Sequence, residues 1–253
     1  MKKFTRKTVS QRLVAMALAS AGLAVATLVA AAPGPNNPAT STALTAPSPS
    51  AITGPVRVVD GDTIVLGQTR IRLEGIDAPE SGQTCKRRWL GSWACGTVAT
   101  AALARMIEGH EVFCEPAGLD KYGRTLATCF AGGIDVNAEM VRQGMAWAYV
   151  KYSVRYVTHE AEARAQKIGI WQGEAQPAWD YRAAQWQKNA SIAPEGCAIK
   201  GAVTKNGRIY HMPWSPWYDK VKIDADPAKR GERRWFCNEA EAVAAGWRPA
   251  MTR

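Results

Sequence analysis

The stretch "IRLEGIDAPE", from Ile71 to Glu80, alternates apolar and polar residues in its first half and ends in an acidic turn with a proline. Such alternation is typical of a strand with one buried face, and the proline marks the end of that strand. The stretch brings Arg72 and two carboxylates, Asp77 and Glu80, to one short corner. These three side chains make the corner a candidate site.

The sequence around this corner predicts a small sheet with packed helices. Apolar alternation and tight turns predict three strands, at residues 56–60, 63–66 and 69–76. Two further strands flank the turn signal Asp120–Gly123. Apolar residues at helical spacing predict three helices, within residues 96–110, 135–149 and 155–167. This order predicts an α+β fold with a five-stranded barrel of the oligonucleotide-binding (OB) type and about three packed helices.

The first 32 residues have the pattern of a secretory signal peptide. Five basic residues precede the Ala-rich apolar run Leu13–Ala30, and small residues follow it as a cleavage site. We therefore expect a secreted or periplasmic protein, with no stable membrane insertion after cleavage. The alternative is an uncleaved anchor that leaves the protein facing outward, because the run is nearly long enough to span a bilayer. Residues 33–52 are rich in Pro, Ser, Thr and Ala, which predicts a disordered linker.

The formal net charge of +10 overstates the basic character of the mature chain. Five of the positive charges belong to the predicted signal peptide, which has no acidic residue. Residues 33–196 carry 16 basic and 16 acidic side chains, whereas residues 197–253 carry 11 and 6. The basic excess therefore lies in the C-terminal part, where it can attract a polyanion or form an ordinary solvated face.

Six cysteines in an exported chain predict disulfides. Cys114 and Cys129 are placed symmetrically about the predicted hairpin turn, which makes them cross-strand neighbours at a separation that a disulfide accepts. Two further bonds are expected to close local loops, Cys85–Cys95 and Cys197–Cys237. The alternative is a zinc site, but the chain has no CxxC pair and only three histidines.

Three separated motifs resemble the thermonuclease family, the staphylococcal nuclease-like domains. They are "VVDGDT" (Val58–Thr63), "IRLEGIDAPE" (Ile71–Glu80) and "DKYGR" (Asp120–Arg124), and the resemblance covers roughly residues 54–175. It implies an OB-type barrel with packed helices, which agrees with the predicted order of elements. We assign the nuclease-like domain to residues 53–190.

The chemistry of these residues fits phosphodiester hydrolysis. Asp62 and Asp77 lie where strands meet turns, and two hard carboxylates at one rim suit an oxygen-preferring cation such as Ca²⁺. Glu80 is a candidate base for an attacking water. Arg72 and Arg124 are candidate phosphate clamps, because a guanidinium stays charged and can bond two phosphate oxygens together.

The resemblance implies the same roles and adds others. It implies that Asp62 and Asp77 ligate Ca²⁺, that Ala78 contributes its backbone carbonyl, and that Glu80 bonds a metal-bound or attacking water. Nucleotide-binding roles are implied for four residues: Lys121, Tyr122, Trp147 and Tyr149. Trp147 stands where the staphylococcal form has tyrosine, so it keeps a stacking face but lacks the phenol hydroxyl.

Residues 193–253 form a second unit, small, basic and rich in aromatic residues. It resembles a cysteine-bracketed module found after some exported nuclease-like domains. Its aromatics form a disulfide-stapled core or, alternatively, a surface for nucleic acid or an envelope polymer.

The sequence therefore predicts an exported, monomeric, Ca²⁺-dependent endonuclease that acts on DNA and RNA with little sequence specificity. One alternative is a non-catalytic nucleic-acid-binding barrel, although binding alone does not require a base such as Glu80. The other is an envelope-binding protein that acts through the C-terminal module.

Overall fold

A computed structural model describes residues 50–223 and 231–250 of the chain. The predicted signal peptide and almost all of the predicted linker lie outside these described residues. Within the described ranges, no helix combines the length and the apolar character that a membrane span requires.

The described residues form short strands and five α-helices. The strands are β1 (Ile52–Thr53), β2 (Val56–Val58), β3 (Thr63–Leu66), β4 (Thr69–Leu73), β5 (Ile76–Asp77), β6 (Cys85–Lys86), β7 (Ser92–Trp93), β8 (Val112–Leu119), β9 (Thr125–Ala131), β10 (Ile134–Asp135), β11 (Trp147–Ala148), β12 (Ile199–Thr204), β13 (Gly207–His211), β14 (Arg233–Phe236) and β15 (Arg248–Pro249). The helices are α1 (Cys95–Ile107), α2 (Val136–Arg142), α3 (Val157–Gln166), α4 (Ala178–Ala190) and α5 (Glu239–Ala244).

The main sheet is curled. Its strands follow the order β1-β8-β9-β4-β3-β2, with β10 beside β9. The two ends of this path are neighbours in the chain, because only Gly54 and Pro55 separate β1 from β2. Strand β1 begins at Ile52, the last residue of the predicted linker. The five predicted strands correspond to β2, β3, β4, β8 and β9, and the α+β fold with an OB-type sheet is confirmed.

Local sequence explains the elements that frame the corner. Asp135 caps α2, since its side chain accepts a hydrogen bond from the backbone N–H of Ala138 at 2.9 Å. Asn137 is fully buried and binds three backbone groups, among them the N–H of Cys129 at 3.1 Å and the carbonyl of Glu74 at 3.0 Å. Asn137 thereby fastens α2 to β9 and to the turn that follows β4.

The core of the barrel lies between the curled sheet and helices α1 and α2. It consists of aliphatic side chains from the strands and helices, together with the ring of Tyr156. The residues with the largest fully buried side chains there are Ile64, Leu66, Ile71, Leu73, Ile76, Leu103, Met140 and Tyr156.

All three expected disulfides are present: Cys85–Cys95, Cys114–Cys129 and Cys197–Cys237. Cys114 and Cys129 are direct cross-strand partners in the β8–β9 hairpin, as its symmetry predicts. The bond between Cys85 and Cys95 joins the segment after Glu80 to the start of α1. Each bond therefore closes a local unit.

The C-terminal module has a sheet of its own, in the order β14-β12-β13-β15, with α5 packed beside it. Its core confirms that several of the aromatics are structural, because Tyr210, Phe236 and Trp247 are buried together. Trp186 of α4 packs against this core. Helix α4 therefore connects the barrel to the module.

Candidate active site

The predicted corner is a cluster of acidic side chains around Arg72. Pairing of β3 with β4 sets Thr63 opposite Arg72, which brings the preceding Asp62 beside the guanidinium. Arg72 forms a short ion pair with Asp62 and donates from Nη2 to Oδ1 of Asp77 at 2.6 Å. Asp77 is fully buried and Asp62 nearly so. The structure therefore brings the two predicted metal ligands together on one arginine.

Glu80 is held beside this cluster by backbone contacts. Its N–H donates to Oε1 of the buried Gln83 at 3.2 Å, and the N–H of Gln83 donates back to the Glu80 carbonyl at 2.7 Å. Gly96, in the first turn of α1, lies against the same carbonyl, and a Cβ on it would come within 1.7 Å of that oxygen. Only glycine allows α1 to approach this closely.

A third arginine enters the site from α4. Arg182 donates from Nη1 to Oδ1 of Asp77 at 3.0 Å and to Oε1 of Glu80 at 2.8 Å, and from Nη2 to Oδ2 of Asp77 at 2.8 Å. Its side chain is 23% exposed. Arg182 therefore links the two carboxylates that the sequence assigns to the metal and to the base.

The cluster has more acidic than basic charge. Four carboxylates, those of Asp60, Asp62, Asp77 and Glu80, meet two guanidinium groups. Burial, with Asp62 nearby, raises the pKa of Asp60 to about 6. Burial opposes ionisation of Asp62 as well, but the charge of Arg72 and the N–H of Ala78 outweigh it and lower the pKa of Asp62. Burial also raises the pKa of Glu80 to about 8, despite the opposing charge of Arg182.

This donor set fits a hard divalent cation. Carboxylate oxygens are what Ca²⁺ prefers, and additional positive charge would favour ionisation of Asp60 and Glu80. In the described part of the chain, no group of three or more Asp, Glu, His or Cys side chains is arranged to bind a metal ion. The reason is visible in the contacts, since the carboxylates of Asp62, Asp77 and Glu80 are turned toward Arg72 and Arg182.

A cleft of about 660 Å³ opens above the cluster. Eight predicted site residues line it: Asp62, Arg72, Ala78, Glu80, Lys121, Tyr122, Arg124 and Tyr149. Arg124 reaches it from the β8–β9 turn, where its Nε donates to Oδ2 of Asp120 at 2.6 Å. Lys121 and Arg124 lie over the ring of the exposed Tyr122, at 4.8 and 5.4 Å. The turn therefore presents two cations and an aromatic ring to the cleft.

The structure does not bring Trp147 to the cleft. Its side chain is 2% exposed and packs edge-on against Trp171 and Trp179 in a small core. A tryptophan fits this position, because β11 pairs with β5 and the indole of Trp147 extends the apolar cluster beside them. Tyr149 does line the cleft, but Trp179 stacks on one face of its ring, with centroids 5.3 Å apart. Tyr152 also contacts this ring edge-on, with centroids 5.0 Å apart, so Tyr149 is already packed by two aromatic side chains.

The C-terminal module forms the opposite wall of the cleft. Its lining residues include Tyr210, Met212, Trp214, Pro216, Trp217 and Glu239. The wall approaches the acidic corner closely, since a Cβ on Gly82 would lie 3.4 Å from the carbonyl oxygen of Trp214. The module therefore lines the cleft together with the barrel.

Two residues of the site were missed in the sequence. Gln83 has no local pattern, because its partners are backbone groups, including the carbonyl of Gln176 at 2.6 Å. Arg182 does lie in a local sequence pattern, since it follows Trp179 by three residues and precedes Trp186 by four. At about 100° per residue these three share a face of α4, and a lone arginine on an aromatic face indicates a buried acidic partner.

Comparison with known proteins agrees with this geometry. The model of the family described as staphylococcal nuclease homologue matches residues 70–173. A micrococcal nuclease of Shigella flexneri is 41% identical over 154 residues, which are 54% of this chain and 82% of the relative. A protein named as an uncharacterized endonuclease of Escherichia coli is 38% identical over 135 residues, covering 50% and 82%. A succinoglycan biosynthesis protein of Rhizobium meliloti is 35% identical over 130 residues, covering 50% and 68%. With its acidic corner, its arginines and these relatives, the chain belongs to the family of staphylococcal nuclease homologues.

Proposed function

We propose that this protein is an exported, Ca²⁺-dependent endonuclease that hydrolyses phosphodiester bonds of DNA and RNA as a monomer. One observation carries the proposal: Arg72, Asp62, Asp77 and Glu80 meet in one buried corner, and a cleft opens onto Arg72, Asp62 and Glu80. The carboxyl group of Glu80, whose pKa burial raises to about 8, lies beside this open cleft, as expected of a functional site.

The chain's own residues divide the reaction between them. Glu80 accepts a proton from the water that attacks the phosphorus, while the ester bond opposite the water breaks. Arg124 and Arg72 donate hydrogen bonds to the phosphate oxygens on which negative charge develops. Asp62, Asp77 and the carbonyl of Ala78 would hold Ca²⁺ together with Glu80, and the bound ion would supply further charge neutralisation.

The substrate class follows from the surfaces of the cleft. Lys121 and Arg124 offer charge to phosphates, and Tyr122 and Trp217 are partly exposed aromatic side chains in the same cleft. Contacts to phosphate and stacking on aromatic rings carry little sequence information. These residues support action on both DNA and RNA without strong sequence preference.

Export is supported by the three disulfides, which form in oxidising compartments. We propose a secreted or periplasmic location after removal of residues 1–32. Mass spectrometry of the protein recovered from the medium or periplasm would give its N-terminus. A membrane-bound protein that keeps residues 1–32 would contradict removal of the segment.

Incubation with supercoiled plasmid tests the function. We expect nicking and linearisation with Ca²⁺, loss of cleavage with a chelator, and recovery when Ca²⁺ is added back. The binding-only alternative predicts a shifted but uncut plasmid under all three conditions. Cleavage that continues unchanged in chelator would contradict the Ca²⁺ dependence and leave a nuclease of another mechanism.

A further inference from the structure

Arg182 belongs to the acidic corner but not to the segment that matches the nuclease family. The family model matches residues 70–173, whereas Arg182 lies on α4, after that segment. It contacts Asp77 across 105 residues of sequence and Glu80 across 102. Arg182 therefore reaches the site from outside the segment that the family model matches.

The hydrogen bonds of Asp77 leave little room for another ligand. Its Oδ1 accepts from both Arg72 and Arg182, and its Oδ2 accepts from Arg182. Each carboxylate oxygen has two lone pairs, so only one acceptor position of Asp77 remains. A cation that binds this carboxylate through more than that position must displace a guanidinium.

Arg182 is the more easily displaced of the two arginines. The side chain of Arg72 is 14% exposed and also bonds Asp62 and the carbonyl of Ile76. The side chain of Arg182 is 23% exposed, and among the described residues it bonds only Asp77 and Glu80. Its helix is anchored independently, because Trp179 stacks on Tyr149 and Trp186 packs on the core of the module. The guanidinium can therefore leave without movement of α4.

We propose that Arg182 is a built-in competitor of the divalent cation: its guanidinium occupies Asp77 and Glu80 in the metal-free protein and is displaced when the cation binds. The inference rests on the proposed Ca²⁺-dependent function. Exchange of a single positive charge for a double one neutralises more of the four-carboxylate cluster, which drives the exchange at high Ca²⁺. At low Ca²⁺, Arg182 keeps the site occupied. Helix α4 thereby sets the Ca²⁺ concentration at which the enzyme works.

Calorimetric titration of Ca²⁺, at fixed pH and ionic strength and without substrate, tests this. The variants are Arg182→Gln, which removes the charge, and Arg182→Lys, which keeps the charge but loses the planar fork. Lys151→Gln is the matched control, because it removes one positive charge from the rim of the same cleft, where Lys151 lies over Tyr152. Near-ultraviolet circular dichroism checks that each variant is folded.

We expect Arg182→Gln to bind Ca²⁺ on the order of tenfold more tightly than the parent, as for a typical coupling between two competing ligands. Arg182→Lys should lie between them, and Lys151→Gln should stay close to the parent because exposed charges are screened. If Arg182→Gln does not fold, tighter binding by Arg182→Lys decides the question.

Three results would overturn the inference. The first is an equal Ca²⁺ affinity of Arg182→Gln and Lys151→Gln, and the second is weaker Ca²⁺ binding by Arg182→Gln than by the parent. In both cases, Ca²⁺ binding by the parent leaves the proposed function standing. If neither the parent nor any variant binds Ca²⁺, the Ca²⁺ dependence of the proposed function fails together with the inference.

Discussion

Arg72 of β4, which lines the cleft, and Asp77 of β5 form a buried ion pair, with Nη2 2.6 Å from Oδ1. The other predicted clamp differs, because Arg124 pairs with Asp120 in a surface turn and its side chain is 22% exposed. Arg72 is therefore part of the buried cluster, whereas the ion pair of Arg124 lies in the surface turn that presents it to the cleft. The two arginines should respond differently to the same substitution.

We expect Arg72→Lys to lose both stability and activity, and Arg124→Lys to lose activity alone. Lysine keeps the charge but cannot form the bidentate fork, so turnover should fall about a hundredfold in each variant. Arg72→Lys should also lower the free energy of unfolding by about 2 kcal/mol, because hydrogen bonds between charged groups are lost. Single-turnover kinetics and urea unfolding measure the two effects. Equal losses of stability would contradict the distinction.

Glu80 makes both metal binding and stability depend on pH. Burial raises its pKa from 4.5 to about 8, so the carboxyl group keeps its proton near neutral pH in the metal-free protein. Ca²⁺ must displace this proton, and its affinity should therefore rise as the pH increases toward 8, with proton release. Calorimetry in buffers of different ionisation enthalpy measures the released protons. A Ca²⁺ affinity that is independent of pH would contradict the raised pKa.

The folding stability should change with pH in the opposite direction to the Ca²⁺ affinity. A carboxyl group with a raised pKa contributes stability that is present below its unfolded pKa of 4.5 and is lost as the pH rises through about 8. In chelator, the parent should therefore lose stability relative to Glu80→Gln between about pH 5 and about pH 9. Parallel unfolding curves across this range would show that Glu80 titrates normally.

The disulfide between Cys114 and Cys129 should stabilise the hairpin that carries Arg124. The bond closes a loop with a sequence separation of 15 residues, for which the loss of chain entropy corresponds to about 3 kcal/mol. We expect the double variant Cys114→Ala, Cys129→Ala to lose roughly this much in urea unfolding. A loss that stays below about 1 kcal/mol would mean that the strands alone fix the hairpin.

Trp217 tests whether the C-terminal module contributes to substrate binding. It lines the cleft, is 42% exposed and lies beneath Lys220. Trp217→Ala should raise KM for a short single-stranded oligonucleotide by roughly fivefold or more, as for one lost stacking contact, with kcat retained. Trp89→Ala is the matched control, since Trp89 is 86% exposed, lies beside Arg88 and is not among the residues that line the cleft. Equal KM values for the two variants would exclude Trp217 from the substrate path.

The parts of the site that the sequence predicts are those set by local rules. Asp62 lies in the tight turn before β3, and strand pairing with β4 fixes its place beside Arg72. The symmetric positions of Cys114 and Cys129 about their turn predict the cross-strand bond. Hairpin register is local, so it can be inferred from spacing and turn residues.

The parts that the sequence does not predict depend on contacts between distant segments. Trp147 is buried because Trp171 and Trp179 fold over it, and nothing in its own strand indicates this. Arg182 meets Asp77 only because α4 is anchored at both ends by packing. The module likewise belongs to the cleft through its fold and not through a motif. Such contacts are fixed by tertiary packing, which local sequence patterns do not reveal.

The most direct test of the account is the turnover of Glu80→Gln on a short single-stranded oligonucleotide at saturating Ca²⁺. The substitution keeps the size and hydrogen-bonding oxygen of the side chain but removes the base, so kcat should fall by about a hundredfold or more. Glu111→Gln, which alters an exposed carboxylate, should match the parent. A folded Glu80→Gln protein that cleaves at the parental rate would contradict the assignment of Glu80 as the catalytic base.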